Sequence, residues 1–178
     1  NEEKYIERTL TQLMESAYPA ARMQVIVIND GSTDDTLAQI QKTREKYPDM
    51  LLVNFERSRG KRNALAAGVR MSTGDIIVFI DSDSFLDPDA LRNLTRRFAD
   101  PGVAAVTGHC EVENQWTNLL TKMQAVRYYV AFRVMKAAES VFDCVTCLSG
   151  PLAAYRRPVL MEVLHEWVTQ KFIGQPAT

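Results

Sequence analysis

Two apolar runs that each stop on an acidic turn constrain this chain more than anything else in it. Gln24-Val25-Ile26-Val27-Ile28 runs into Asn29-Asp30-Gly31-Ser32, and Asp75-Ile76-Ile77-Val78-Phe79-Ile80 runs into Asp81-Ser82-Asp83. Runs this short and this apolar read as strands buried on both faces. Helical patterns separate them. Ser32-Thr33-Asp34-Asp35 supplies N-cap chemistry, and Leu37, Ile40 and Tyr47 give a core-facing stripe that ends at Pro48. Leu51–Phe55 reads as the next strand. Gly60-Lys61-Arg62 opens another helix, with Leu65, Val69 and small Ala64, Ala66, Ala67 and Gly68 suited to close packing on a sheet, and Gly74 closes it. Asp87-Pro88-Asp89 starts a third helix through Phe98, and Val103–Val106 is a fourth strand. This alternation predicts an α/β domain with a mostly parallel sheet and helices on both faces. Ligands of such sheets bind outside the carboxyl ends of the strands, where both acidic turns fall.

Beyond Gly108 the pattern changes. Trp116 to Ser140 is helical in spacing, with Leu119, Leu120, Met123, Val126, Val130 and Val134 three or four residues apart, and is expected to cover the core. A membrane-facing or partner-facing surface is the alternative for this stretch. Cys144–Tyr155 suggests strand, turn, strand around Ser149-Gly150-Pro151, and Pro158–Val168 a short helix. At 178 residues the chain is expected to be one domain. A net charge of −1 leaves no broad basic field for nucleic acid. No apolar run approaches the roughly 20 residues that span a bilayer. Cys110, Cys144 and Cys147 fit a reducing compartment and are expected as buried or half-buried thiols on strands. Cys144-Val-Thr-Cys147 has redox spacing, but it lacks the second pair that a zinc site wants.

Asp81 and Asp83 repel each other, which stability alone does not explain and a bound divalent cation relieves. Hard oxygen ligands suit magnesium or manganese, which would also grip a diphosphate. The plain alternative is that these residues only end the strand and cap the next segment. Asp30 in the first strand–helix turn is placed to accept hydrogen bonds from a base or ribose, or merely to shape the turn. Gly60 lets backbone approach a ligand, and Lys61 and Arg62 at a helix start favour phosphate, although such clusters are often solvated faces. Together they predict a metal–diphosphate site.

These segments resemble the family 2 glycosyltransferases in order and spacing. Thr107-Gly108-His109, Asn118–Thr121, Arg127-Tyr128, Cys147–Leu152, Tyr155–Arg157 and Gln170 with Phe172–Gly174 narrow the resemblance to hyaluronan synthases. Chitin-oligosaccharide synthases share much of it. The resemblance implies a GT-A fold, truncated at both ends, and inverting transfer from a UDP-sugar, UDP-N-acetylglucosamine and UDP-glucuronate. Residues 1–108 would form the UDP-sugar and metal half, and 109–178 an incomplete acceptor half. Asp30 would hold uracil or ribose, and Lys61 and Arg62 the diphosphate region. Asp81 would lie by ribose and metal, with Asp83 the direct metal ligand. Cys147, Ser149, Gly150 and Pro151 would floor the site of the growing polysaccharide, supported by Arg156. Asn29 stands where the family is commonly acidic. The catalytic base and the Gln-x-x-Arg-Trp motif are expected beyond Thr178, so this chain would contain no catalytic base, and the parent protein would sit in the inner membrane with this domain cytosolic. A non-catalytic nucleotide-diphosphate-binding module is the competing reading. A sugar nucleotidyltransferase would want a Gly-rich phosphate loop, which Asn29–Thr36 lacks.

Overall fold

The computed structural model describes residues 1–148, 151–172 and 175–176, so Ser149, Gly150, Ile173 and Gly174 lie outside the described residues. Strand β1 (Ile26–Asp30) pairs in parallel with β2 (Leu51–Phe55), Ile26 opposite Leu51 and Asp30 opposite Phe55. The crossover is helix α2 (Thr36–Lys46), as parallel pairing requires. Helix α3 (Lys61–Met71) follows β2 and leads to β3 (Ile76–Ile80).

The second ladder is antiparallel. Strand β5 (Leu152–Arg156) lies between β3 and β4 (Ala105–Thr107), with Ile80 opposite Leu152 and Ile76 opposite Arg156. Parallel pairing among the described residues is therefore the β1–β2 pair. Strand β4 does not extend it, because the chain returns after residue 148 and inserts β5 beside β3. Leu152, Ala153 and Ala154 are all buried, as the central strand of a ladder covered on both faces must be. Gly108 lies close against its edge: a Cβ there would lie 2.7 Å from Leu152 Cδ2, so that the leucine side chain would have to shift, and the Gly108 N–H donates to the Leu152 carbonyl at 2.8 Å.

Helices cover both faces, as expected. On one side of the β3–β5–β4 ladder, Ala66 and Val69 of α3 meet Ile77 and Leu160 and Leu164 of a C-terminal helix. That helix spans Arg157–Thr169, with Pro158 in its first turn where no amide is needed. On the other side, Leu94 of the short helix Ala90–Thr95 packs with Leu86, Phe98, Leu152 and Ala154. Beside β1 and β2, a third cluster joins Val25, Ile40 and Met50 to Ile6 and Leu10 of helix α1 (Ile6–Met14). Sequence patterning passed over α1, although Ile6, Leu10 and Met14 recur every four residues.

Three expectations about the second half need correction. Helix Leu119–Tyr128, a π-helical stretch Tyr129–Met135 and helix Lys136–Val141 run on continuously, yet none of their residues is buried. They do not cover the core. Residues 144–148 form no strand, so only the second of the two strands expected around the turn exists. None of the three cysteines sits on a strand; Cys144 and Cys147 are exposed and Cys110 is half-buried. Among the described residues, no helix is long and apolar enough to cross a membrane.

Candidate functional site

The C-terminal ends of β1 and β3, which belong to separate ladders, are linked through the N-terminus of α3 by a run of direct contacts. Asp30 begins it. Both carboxylate oxygens are engaged by the loop before α3: the Arg59 N–H donates to Oδ1 at 2.7 Å, the Ser58 hydroxyl to Oδ2 at 2.7 Å, and the Gly60 N–H to Oδ2 at 3.0 Å. Partial burial works to raise the Asp30 pKa. The Arg59, Ser58 and Gly60 hydrogen bonds and the Arg59 charge outweigh it, holding the carboxyl below its usual range. Gly31 permits the approach. Its φ is +70°, and a Cβ would lie 2.4 Å from Ser58 N and 2.6 Å from Arg57 C. Asp30 thus clamps the loop Ser58–Gly60. Its neighbour Asn29, buried in β1, donates from Nδ2 to Asn54 Oδ1 on β2 at 2.6 Å.

Lys61 follows the clamped loop, and its Nζ lies 2.6 Å from Asp81 Oδ1. Asp81 closes a tight turn, with the Ser84 N–H donating to its carbonyl at 3.0 Å, while its own N–H donates to the Pro151 carbonyl at 3.1 Å. The buried Thr9 of α1 donates from its hydroxyl to the Ser82 carbonyl at 2.9 Å, pinning the middle of the same turn. Arg8 stacks over the Phe85 ring at 3.6 Å. Asp83 is exposed and makes no hydrogen bond or ion pair among the described residues. Cys110 lies close by. Burial first, then the negative charge of Asp81, pushes its thiol up to about 11, so it is protonated at neutral pH.

Asp30, Lys61, Asp81 and Pro151 therefore form one connected edge, with Asp83 adjoining. Arg62 does not join it: its Nη1 donates to the Gln170 carbonyl at 3.1 Å, at the end of the C-terminal helix. Arg156 is further removed. Antiparallel pairing puts it opposite Ile76, at the end of the ladder away from Asp81. Its guanidinium donates to the carbonyls of Val103 at 2.7 Å, Phe98 at 2.9 Å and Asp100 at 2.7 Å. Arg156 thus ties the Phe98–Val103 turn to β5, at the end of the strand away from Pro151. Cys147 lies in the segment entering β5, its carbonyl accepting a hydrogen bond from Lys136 Nζ; Ser149 and Gly150, expected beside it, lie outside the described residues.

Thr9 went unmarked in the sequence because it lies in no charged or glycine-rich motif, and Ser58 because it is the one neutral hydroxyl among Arg57, Arg59, Lys61 and Arg62. Their partners are a carbonyl and a carboxylate remote in the chain. The chemistry of the edge is nevertheless plain. Asp81 and Asp83 offer hard oxygen donors, and the ammonium already resting on Asp81 shows that the turn attracts a cation. Among the described residues, no group of three acidic, histidine or cysteine side chains surrounds it. A divalent ion held there would complete its shell with diphosphate oxygens and water, as magnesium and manganese do. The donor set fits such an ion.

Residues 1–164 match the profile of "Glycosyl transferase family 2". The hyaluronan synthase of Streptococcus pyogenes is 35% identical over 175 residues, covering 96% of this chain and 41% of that protein. An N-acetylglucosaminyltransferase of Mesorhizobium japonicum is 34% identical over 159 residues, 89% of this chain and 38% of that protein. The chain thus spans well under half the length of these relatives. Among solved structures, a mannosyltransferase of Pyrobaculum calidifontis in complex with GDP-Man and Mn2+ superposes with a TM-score of 0.72 at 30% identity, over 92% of this chain and 44% of that one. The acidic turns, the clamped loop and these matches have one reading: the fold is GT-A, and the chain belongs to glycosyl transferase family 2.

Proposed function

We propose that this chain is the donor-binding part of an inverting glycosyltransferase that builds a β-linked, hyaluronan-like polysaccharide from UDP-N-acetylglucosamine and UDP-glucuronate. The observation that carries it is the connected edge from Asp30 through Lys61 to Asp81 and Pro151. Asp81 and Asp83 would hold Mg2+ or Mn2+, which supplies electrophilic assistance to the departing diphosphate when bound. Lys61 contributes a flexible cation for the phosphate oxygens. Asp30 positions the loop beside the nucleoside, and its remaining lone pairs can accept from uracil or ribose. Pro151, through its carbonyl on the Asp81 amide, joins the acidic turn to the Cys147–Pro151 segment that we assign to the growing polysaccharide.

The catalytic base is assigned, on the family resemblance, outside residues 1–178. Within the chain, Glu113 is paired with Arg8 at 2.8 Å, and Glu111 lies 3.3 Å from His109 Nε2. A general base supplies roughly 10²–10⁴-fold, so the isolated chain should bind donor but transfer little. The parent protein, if hyaluronan synthase-like throughout, would work at the inner membrane with this domain on the cytosolic side.

Calorimetric titration with UDP tests the site. Affinity should rise about tenfold or more with Mn2+ over EDTA, in line with charge-assisted contacts of 1.5–3 kcal/mol, and Asp83→Asn should remove most of that gain. Equal UDP affinity with and without metal, in a folded sample, would reject the site. Sustained polymer synthesis by the isolated chain would instead move the base to Glu111, Glu113 or Asp143.

A further inference from the structure

The Lys61–Asp81 pair raises a question that the donor reading leaves open. The carboxylate assigned to a divalent cation already carries an ammonium at 2.6 Å. Two cations on one carboxylate repel each other, so they compete for it. The pair is suited to exchange. The Lys61 side chain is 71% exposed and that of Asp81 36%, so the bridge is a solvated one that breaks at little cost. The backbone on either side is fixed. Asp30 clamps Gly60, whose carbonyl accepts from the Ala64 N–H at 3.1 Å as α3 begins, and the Asp81 amide is tied to Pro151. Only the four-carbon lysine stem is left to move.

We infer that Lys61 is a built-in counter-cation of the acidic turn, holding Asp81 until a divalent ion takes that carboxylate and then passing its charge to the donor's diphosphate. This rests on the metal–diphosphate reading above. No covalent change is involved: one ion pair breaks and two form. Metal and diphosphate then bind in sequence, because the cation frees the ammonium that the anion needs. A lysine serving as a plain phosphate ligand would have no such effect on the metal. The exchange predicts that Lys61 opposes the binding of metal alone and favours the binding of diphosphate once metal is present.

Two titrations of the 178-residue chain test this: Mn2+ alone, followed by electron paramagnetic resonance, and UDP at saturating Mn2+, followed by calorimetry. Lys61→Met should bind Mn2+ alone about three- to fivefold more tightly, the scale of one solvated ion pair removed. The same variant should bind UDP about tenfold more weakly. Lys61→Arg keeps the charge and should leave Mn2+ affinity within about twofold of the parent, which separates loss of the cation from loss of the side chain. Lys61→Gln serves in place of the methionine variant if circular dichroism shows that the latter is unfolded. Unchanged or weaker Mn2+ binding on removing the charge overturns the inference, as does unchanged UDP affinity. Asp81→Asn and Asp83→Asn run alongside tell the two readings apart. If neither weakens Mn2+ binding, the metal site itself falls. If they weaken it but Lys61→Met does not strengthen it, only the exchange falls.

Discussion

Helix α3 and the long helix from Leu119 to Val141 are both rich in apolar residues, yet they have opposite fates. In α3, Ala64, Ala66 and Val69 are buried, and Gly68 lets Ile28 of β1 approach the helix backbone. In the long helix Leu119 is 74% exposed, Leu120 73% and Val126 64%, with Trp116 and Phe142 open at its two ends. Helical periodicity is present in both. The difference lies in what each helix finds to pack on. Helix α3 is joined by short connections to β2 and β3 and has the C-terminal helix against it. The long helix is capped by an Asn118–Thr121 box and touches the rest through individual contacts, such as His109 against the Phe132 ring at 6.2 Å. Cap chemistry and spacing fix that a segment is helical; they do not fix that it is covered.

The contrast can be broken first by one substitution made in both regions. Leu164→Ala, in the cluster shared with α3, should cost about 2–5 kcal/mol in denaturant unfolding. Leu120→Ala should change stability by no more than about 0.5 kcal/mol. Equal costs would mean that the long helix is packed in solution against something of this chain's own, and the contrast would fail. A smaller effect is expected at the clamped loop. Gly31→Ala places a Cβ against the Arg57–Ser58 backbone at positive φ, which should cost about 1–3 kcal/mol and weaken UDP binding along with it. A neutral result would show that the loop is held less closely than its geometry says.

The smallest effect is a titration. The Asp30 carboxyl is depressed in the fold, so its hydrogen bonds contribute fully above the ordinary aspartate value of 3.8 and are lost as pH falls through the lower folded value. Amide resonances of Arg59 and Gly60 should therefore titrate with a midpoint below 3.8, and Asp30→Asn should abolish that step. A midpoint at or above 3.8 would mean the clamp does not favour the charged form.

Much of the first half of the chain was legible because its signals are local. Strand Leu51–Phe55 came out at its observed bounds, and the acidic turns fell at the ends of β1 and β3. What escaped depends on distant partners. Arg156 was expected to support the Cys147–Pro151 segment, and nothing near it in sequence reveals that its hydrogen bonds go to Phe98, Asp100 and Val103. Arg62 stands beside Lys61 in the chain, but one helical step of about 100° turns it toward Gln170 and away from Asp81. The apolar stretch Cys144–Leu148 suggested a strand by composition, but no neighbouring strand takes it up.

The insertion of β5 between β3 and β4 also bears on the order in which the molecule matures as it is made. Strand β3 emerges from the ribosome well before its ladder partner, since Ile80 waits for Leu152 and the Asp81 amide waits for Pro151. Non-local pairing of this kind is slow, and an apolar strand awaiting its neighbour is a site for misassociation. The β1–β2 pair, closed by one intervening helix, has no such wait. The nascent chain would therefore complete its Asp30 end early and its Asp81 turn late, so that a fully tethered acidic turn marks a chain synthesised at least as far as β5.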